Sequence, residues 1–313
     1  MLPDLVRRDY WVTRVLRALA EDEAHQGLVL FKGGTSLSKG WRLIKRFSED
    51  VDLLLTGPNF GAMPERPSER VRQFEALRAR IESETPLRLP AQKDVDRELW
   101  NFVYMRDDFH CNIRYPLPGS AIKRGAVNTE WVLIESGFRG GVQPHSRRPI
   151  NSLIGEFLQT DAGVRDALGD YAKDFEPFEM DLLKPERTFA EKFLLLHVAM
   201  SKGEEGAREV RTRHYYDVAQ LFAESDDVKK AFASGEMVRL FSAAAEVSNR
   251  FFNAGIDLET VVLRDSLALA PTAAQMQVLR ANYESPLERS MYFKDFVSFD
   301  ELMERVRSIR ESL

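Results

Sequence analysis

The stretch that decides the fold runs Leu30-Phe-Lys-Gly-Gly-Thr-Ser-Leu-Ser-Lys-Gly-Trp41 and resumes as Arg46-Phe-Ser-Glu-Asp-Val-Asp-Leu-Leu-Leu55. Its pattern predicts a short strand, a Gly-Gly turn, a helix that Thr35 caps and that reaches Ile44, a basic loop, and a strand from Asp50 to Leu55. Two glycines let the backbone approach a ligand closely, and the N–H groups at a helix start can receive a phosphate. The stretch therefore predicts a phosphate-binding turn between two strands.

The second strand carries two acids in an apolar run. Residues i and i+2 of a strand point to the same face about 6.6 Å apart, so Asp50 and Asp52 face one side while Val51 and Leu53 face the core. Paired carboxylates repel each other and are costly to desolvate, and a divalent cation removes that penalty. Mg²⁺ prefers oxygen ligands and leaves positions open for substrate phosphates. With the glycine turn upstream, the pair predicts a Mg²⁺ or Mn²⁺ site rather than two solvated acids at a strand end.

Composition is that of a soluble protein of about two domains, with 313 residues, 44% hydrophobic and 30% charged. The sequence has no apolar run long enough to span a bilayer and no signal-peptide pattern at its start, so we expect a cytoplasmic protein without membrane contact. The single cysteine, Cys111, excludes an internal disulfide and is expected to be buried. A net charge of −5 does not itself indicate nucleic-acid binding. Local basic clusters keep that class of partner open: Arg42, Lys45 and Arg46; Lys123 and Arg124; Arg139, Arg147 and Arg148; Arg208, Arg211 and Arg213.

The periodicity divides the chain near residue 150, into an α/β part (1–150) and a helical part (151–313). In the first part we expect helices over 9–20 and 66–86, strand-like alternation over 100–117 and 130–138, and a loop over 140–149. The second part is expected to be almost wholly helical. Its predicted helices cover 151–171, 187–201, 209–223, 226–233, 236–252, 271–285 and 297–311.

Several motifs together resemble the AbiEii/AbiGii toxin family of nucleotidyltransferases, part of the DNA polymerase β-like superfamily, which includes the MenT toxins. The main one is Lys32-Gly-Gly-Thr-Ser-Leu37 with Arg46-Phe-Ser-Glu-Asp-Val-Asp-Leu53. Two downstream stretches, Pro185-Glu-Arg-Thr-Phe-Ala-Glu-Lys-Phe193 and Arg213-His-Tyr-Tyr-Asp-Val-Ala-Gln-Leu221, are similar to later family motifs, and Arg8-Asp-Tyr-Trp-Val-Thr13 is similar to the family's first helix. The resemblance implies an α+β fold: a polymerase β-like domain with a mixed sheet, then a helical domain that completes the nucleotide and acceptor site.

The resemblance also implies roles for single residues. Asp50 and Asp52 would bind the metal, and Lys192 would contact the nucleotide phosphates with Asp217 as a polar partner. The nucleotide-binding segment would comprise Gly33, Gly34, Thr35, Ser36, Lys39 and Ser48, and Ser48 matches a serine whose phosphorylation silences some family members. The superfamily places a third carboxylate on a neighbouring strand. Our candidate is Glu135, the acid within the apolar run Trp131-Val-Leu-Ile-Glu135, with Asp107, Asp108 and Glu130 as alternatives.

The downstream residues also have plainer interpretations. Thr188-Phe-Ala-Glu191 has the pattern of a capping box, which predicts a helix start there and places Lys192 in its first turn. Because a helix start repels cations, a lysine there indicates a nearby anion, although an exposed lysine is the alternative. Asp217 could equally be a simple first-turn acid.

The implied function is a bacterial toxin that transfers a nucleoside monophosphate from an NTP to an acceptor and releases pyrophosphate. The implied acceptor is the 3′ end of tRNA, whose modification would block translation, and a separate antitoxin protein is expected. Two alternatives remain open: transfer to a protein or small molecule, and a non-catalytic binding module with this fold. Four arginines are candidates for acceptor binding: Arg147, Arg148, Arg211 and Arg213.

Overall fold

The computed structural model describes residues 3–48, 50–120, 130–257, 263–292 and 296–313. The basic pair Lys123 and Arg124 lies outside these ranges. The chain forms two compact units. The sheet unit contains Met1–Trp41 and Ser48–Leu182, and the helical unit contains Arg42–Phe47 and Leu183–Leu313. Residues 151–182 therefore belong to the sheet unit, and the functional division predicted near residue 150 stays a prediction.

A mixed sheet forms the centre of the sheet unit, as predicted for the fold class. Its seven strands follow the order β3-β4-β5-β2-β1-β7-β6. Strand β2 lies antiparallel to β1 and parallel to β5, and β1 lies parallel to β7. The strands are β1 (Val29–Lys32), β2 (Asp50–Leu55), β3 (Tyr104–Arg106), β4 (His110–Pro116), β5 (Trp131–Gly137), β6 (His145–Ile150) and β7 (Phe178–Leu183).

The described α-helices of this unit are α1 (Pro3–Ala20), α2 (Gly33–Lys39), α3 (Pro67–Glu84), α4 (Arg97–Val103), α5 (Leu153–Thr160) and α6 (Ala162–Leu168). One hydrophobic core joins α1 and α3 to the apolar side chains of the sheet, including Val51, Leu53 and Ile134. Cys111 is buried in this core, as predicted, and burial raises the pKa of its thiol to about 12.

Several sequence predictions fail in the sheet unit. Helix α2 starts at Gly33, so Thr35 lies inside the helix and does not cap it. Residues 100–103, predicted as strand, form the end of helix α4. Helix α2 ends at Lys39 instead of Ile44, because the chain turns at Gly40 and Arg42 takes a positive φ of 55°. The loop predicted over 140–149 contains strand β6, which lies at the sheet edge. Its exposed arginines and Pro149 are typical of edge strands. Loops have a similar composition, so the sequence alone did not distinguish the two.

The helical unit contains α7 (Pro185–Ser201), α8 (Gly203–Glu209), α9 (Arg213–Glu224), α10 (Asp226–Ala233), α11 (Glu236–Phe252), α12 (Ala273–Tyr283), α13 (Pro286–Ser290) and α14 (Phe299–Ser308). Helix α7 packs against α8, α9, α10 and α11. The segment 42–47 belongs to this unit. Its backbone forms an isolated antiparallel β-bridge between Arg46 and Tyr292, and the Phe47 N–H donates to the Met291 carbonyl over 2.6 Å. None of the described helices is long and apolar enough to cross a membrane.

The capping box predicted at Thr188 is wrong. Helix α7 starts three residues earlier, at Pro185, whose fixed φ suits the first helical position. Glu191 instead forms an ion pair with Arg187 one turn before it, with Nε and Oε1 2.9 Å apart. Lys192 consequently lies two turns inside the helix, and the argument from a cation at a helix start does not apply to it.

Candidate active site

The acids of β2 share one face of the sheet with a third acid on the next strand. In the parallel register of β2 and β5, Asp52 pairs with Glu135 and Asp50 pairs with Leu133. Directly paired residues of neighbouring strands point to the same face, so Asp50, Asp52 and Glu135 project together. The register thus brings together the metal pair and the third carboxylate that the sequence predicted.

The same row extends over two further strands. Lys32 of β1 pairs with Asp52, and Asn112 of β4 pairs with Glu135. We call these four residues, Lys32, Asp52, Glu135 and Asn112, the polar row. Sequence reasoning missed Asn112, although a signal exists: in β4 the polar residues His110, Asn112 and Arg114 alternate with buried Cys111, Ile113 and Tyr115.

Gly33 lies directly against the Asp52 carboxylate. A Cβ atom placed on Gly33 would lie 1.9 Å from Asp52 Oδ2, far inside contact distance. Gly33 also has a φ of +75°, a conformation that side-chain-bearing residues rarely adopt. Both facts require glycine here, and the close approach is to a protein carboxylate.

The side chains that follow Gly33 are occupied inside the protein. Thr35 Oγ1 donates to the Asp50 carbonyl, and Ser36 Oγ donates to the Gly33 carbonyl over 2.9 Å. The Lys39 ammonium is buried and donates to Asp9 Oδ1, Thr13 Oγ1 at 2.9 Å and the Asn151 carbonyl at 3.3 Å. All three N–H groups of Lys39 have protein acceptors, so Lys39 has no N–H group left to bind a nucleotide in this arrangement.

The three alternative third carboxylates lie elsewhere. Asp107 accepts the backbone N–H groups of Phe109 and His110 at 2.6 and 2.8 Å, which closes the turn between β3 and β4. Asp108 is exposed in that turn, and Glu130 precedes β5. Among the predicted candidates, only Glu135 pairs with an acid of β2.

The oxygen atoms on this face of the sheet are of the chemical type that binds a hard divalent cation. Carboxylate and amide oxygens are the ligands that Mg²⁺ takes, and the buried Asn112 Oδ1 has no hydrogen-bond partner among the described residues. Within the described ranges, no three His, Cys, Asp or Glu side chains are grouped closely enough to hold a metal. The Asp52 carboxylate rests against Gly33 in this arrangement.

The helical unit contains a second cluster of predicted site residues, built around Asp217 of α9. Arg46 binds this carboxylate in a bidentate manner, with Nε to Oδ1 at 2.7 Å and Nη2 to Oδ2 at 2.6 Å. Lys192 Nζ lies 3.0 Å from Oδ2, so the predicted partnership of Lys192 with Asp217 is present in the structure. Asp217 is 0% exposed and Arg46 only 1%. Sequence reasoning assigned Arg46 to a basic surface loop, whereas it is a buried ion-pair partner.

Charges decide the protonation of this cluster. Burial alone would raise the pKa of Asp217, but the charges of Arg46 and Lys192 outweigh burial and hold the pKa below its usual value. His214 lies beside Lys192, with Nζ and Nδ1 3.2 Å apart. Burial, and next the charge of Lys192, lower the pKa of His214 well below its usual value. Asp217 is therefore ionised and His214 neutral at pH 7. We call Arg46, Lys192, His214 and Asp217 the paired cluster.

The predicted acceptor-binding arginines divide between the two units. In β6, Arg147 forms an ion pair with Asp181 at 3.2 Å, and Arg148 stacks over the Trp41 ring at 5.1 Å. In the helical unit, Arg211 is exposed, whereas Arg213 is buried. Ser48, the predicted phosphorylation site, is partly exposed two residues before β2.

Comparison with known proteins identifies the family of the chain. No curated protein matches the chain. Residues 14–305 of the 313 match the family described as the nucleotidyl transferase AbiEii toxin of type IV toxin–antitoxin systems. This match covers the glycine turn, all three carboxylates, Lys192 and Asp217. The chain therefore belongs to the AbiEii family of nucleotidyl transferase toxins.

Proposed function

We propose that this toxin is a metal-dependent nucleotidyltransferase that moves a nucleoside monophosphate from an NTP to the 3′ end of tRNA in the cytoplasm, and so blocks translation. Family membership implies a nucleotide substrate and an antitoxin partner. The observation that carries the proposal is the placement of Asp50, Asp52 and Glu135 on one face of the sheet.

The like charges of these acids favour a divalent cation. Asp50 and Asp52 would hold Mg²⁺ or Mn²⁺. When bound, the ion neutralises charge on the phosphate oxygens and orients them. Glu135 is placed beside Asp52 to accept the proton of the attacking hydroxyl, and Lys192 is the candidate for binding the phosphates.

Incubation with labelled NTPs and Mg²⁺, in the presence of total RNA or of a protein extract, tests this proposal. We expect label in RNA for the wild-type chain, and none for Asp50→Asn, Asp52→Asn or the wild type in EDTA. Glu135→Gln should also be inactive. Asp108→Asn is the matched control, because it removes an exposed carboxylate from a turn of the same sheet. Label found in protein would show that the acceptor is a protein and not RNA. Unaltered labelling by both aspartate variants would show that Asp50 and Asp52 are not needed for transfer.

The arginine clusters provide a separate test of the acceptor. Phosphate contacts release counterions, so transfer to RNA should fall steeply between roughly 50 and 200 mM salt. Charge reversal at exposed Arg148 or Arg211 should slow transfer to RNA but leave NTP binding nearly intact. Arg213 is unsuitable for this test because its side chain is buried. Transfer that is insensitive to salt and to both reversals would exclude a polynucleotide acceptor.

A further inference from the structure

We infer that His214, together with Lys192 and Thr188, forms a phosphate-binding subsite of the helical unit that receives the phosphate tail of the nucleotide through the His214 Nε2–H group. This inference rests on the proposed function, because it takes an NTP as the substrate. Its observations all lie within the helical unit.

The hydrogen bond between Lys192 and His214 fixes the tautomer of the imidazole. A lysine ammonium can only donate, so the His214 Nδ1 atom, 3.2 Å from Nζ, must accept. Nδ1 then carries no proton, and a neutral ring carries its proton on Nε2. His214 therefore presents Nε2–H as a donor.

That donor is available to a ligand. The ring is partly exposed, and no described residue accepts a hydrogen bond from Nε2. The charged groups around His214 keep it neutral: burial and Lys192 lower its pKa, Arg46 and Arg213 act in the same direction, and Asp217 opposes them. The N–H is consequently present at neutral pH without a charge of its own.

The charge balance of the paired cluster favours an anion. Arg46 binds Asp217 through two short hydrogen bonds. With the neighbouring charges of Arg213 and Glu288 included, three cations face two carboxylates, so one positive charge is in excess. Lys192 donates to Asp217 and to His214, and it has three N–H groups. A third donor therefore remains on the same side chain that anchors the imidazole.

Thr188 adds a second neutral donor. It precedes Lys192 by four residues in α7, so the two side chains lie on the same face of the helix. The Thr188 Oγ1 atom is buried, the residue is 3% exposed, and no hydrogen-bond partner is present among the described residues. A threonine inside a helix commonly donates to the carbonyl one turn earlier, and this one does not.

One cation and two neutral donors fit the oxygens of a phosphate. Such oxygens accept several hydrogen bonds at once, and a charged donor strengthens the set. The phosphate could belong to the NTP or to the RNA backbone, and we assign it to the NTP, the substrate that the proposed function takes. The KM for each substrate separates the two sources.

Two substitutions of His214 test the assignment. Asparagine places an oxygen where Nδ1 lies and can still accept from Lys192, but it has no group at the position of Nε2. Glutamine places an amide N–H near the position of Nε2. We expect His214→Asn to raise the KM for NTP about 5- to 20-fold, the loss of one charge-assisted hydrogen bond. His214→Gln should restore the KM to within about threefold of the wild type.

His197→Asn is the control, because this α7 histidine binds Ser266 Oγ at 2.8 Å and belongs to neither cluster. Its kinetics should match the wild type. Thr188→Val gives a second measure that does not depend on His214: a rise of about 3- to 10-fold in the KM for NTP without loss of thermal stability, because the hydroxyl has no protein partner.

The outcomes separate the inference from the proposed function. If the wild type neither binds NTP by calorimetry nor transfers label, the proposed function fails and the inference fails with it. If the wild type is active while His214→Asn and Thr188→Val keep its KM for NTP, only the inference fails. Equal kinetics of the Asn and Gln variants would show that His214 accepts a hydrogen bond from Lys192 but donates none to the nucleotide. A rise in the KM for RNA alone would assign the subsite to the acceptor.

Discussion

Asp52 in the sheet unit and Asp217 in the helical unit are aspartates with opposite electrostatic surroundings. Asp52 shares a sheet face with Asp50 and pairs with Glu135 on one side and Lys32 on the other, so three carboxylates share this face with one ammonium group. Asp217 is wholly buried between Arg46 and Lys192, and both of its oxygens accept from cations. The first arrangement favours an added cation, and the second is already compensated by the protein. Substitution should therefore affect activity at Asp52 and stability at Asp217.

The largest expected effect is on catalysis at the two aspartates of β2. Asp52→Asn, or Asp50→Asn, should reduce transfer at least about 10³-fold, which corresponds to ~4 kcal/mol of activation free energy. Unfolding free energy should change by no more than about 0.5 kcal/mol, because a repulsive partner is removed. Rate measurements in Mg²⁺ together with urea titrations check both halves. A variant whose loss of stability accounts for its loss of activity would show that Asp50 and Asp52, like Asp217, mainly stabilise the fold.

Asp217→Ala should reverse this pattern. Removing one partner of a buried ion pair leaves Arg46 buried and uncompensated, so we expect a loss of about 3–5 kcal/mol in unfolding free energy. The matched control is the double variant Asp217→Leu with Arg46→Met, which removes both charges and should recover most of that loss. Urea denaturation followed by circular dichroism measures both. If Asp217→Ala is as stable as the wild type, the ion pair is not a structural element.

The same pair defines a pH dependence. The folded-state pKa of Asp217 lies below its unfolded value, so its stabilisation is present above about pH 4. It is lost as the pH falls through the folded-state pKa. Between pH 7 and 5 the stability difference between the wild type and Asp217→Ala should thus stay constant, and it should shrink in stronger acid. A difference that already shrinks near pH 6 would contradict this assignment.

A smaller effect comes from the glycine that contacts Asp52. Gly33→Ala should destabilise the protein by about 1–2 kcal/mol through its positive φ, and should also displace the Asp52 carboxylate. Gly235→Ala is the matched control, since Gly235 has the same φ of +75° and nothing within 4 Å of an added Cβ. Gly33→Ala should lose more stability than Gly235→Ala, because only its added Cβ meets the Asp52 side chain, and only Gly33→Ala should lose transfer activity. Equal activities would show that the contact with Asp52 is irrelevant to the reaction.

The smallest expected effect is at Thr35. Its hydroxyl donates to the Asp50 carbonyl at the start of β2. Thr35→Val should cost about 1 kcal/mol of stability, the usual value for one internal hydrogen bond. If the hydroxyl also binds the triphosphate, as the family resemblance implies, the KM for NTP will rise as well. Chemical denaturation and initial-rate kinetics distinguish the two roles.

Local patterns predicted well the strand that carries Asp50 and Asp52. The run Asp50–Leu55 alternates acids with buried residues, and its strand has the predicted bounds. Glu135 stood out for a related reason, as an acid inside an apolar run. Its pairing with Asp52 needed the register, which depends on how β2 and β5 align across the sheet. Strand β6 was missed because an exposed edge has the composition of a loop.

The paired cluster could be predicted only in part. Motif resemblance identified Lys192 and Asp217, but Arg46 is 171 residues away from Asp217 in sequence, and no local periodicity relates them. The cap at Thr188 was wrongly predicted because Pro185 offers a competing start for the helix, and a sequence pattern cannot rank two adjacent starts. His214 gave no signal of its own, since its role follows from the proton that Lys192 shares with it.

Segment 42–47 belongs to the helical unit although it precedes most of the sheet unit in sequence, and this affects folding during synthesis on the ribosome. Arg46 leaves the exit tunnel long before Asp217 has been translated, and at ordinary elongation rates the 171 intervening residues take roughly 10 to 30 s. During that interval the guanidinium has no carboxylate from α9 to bind and stays hydrated. The helical unit can thus close only after the chain has been made through α9. A chain with this connectivity therefore completes its helical unit late in synthesis.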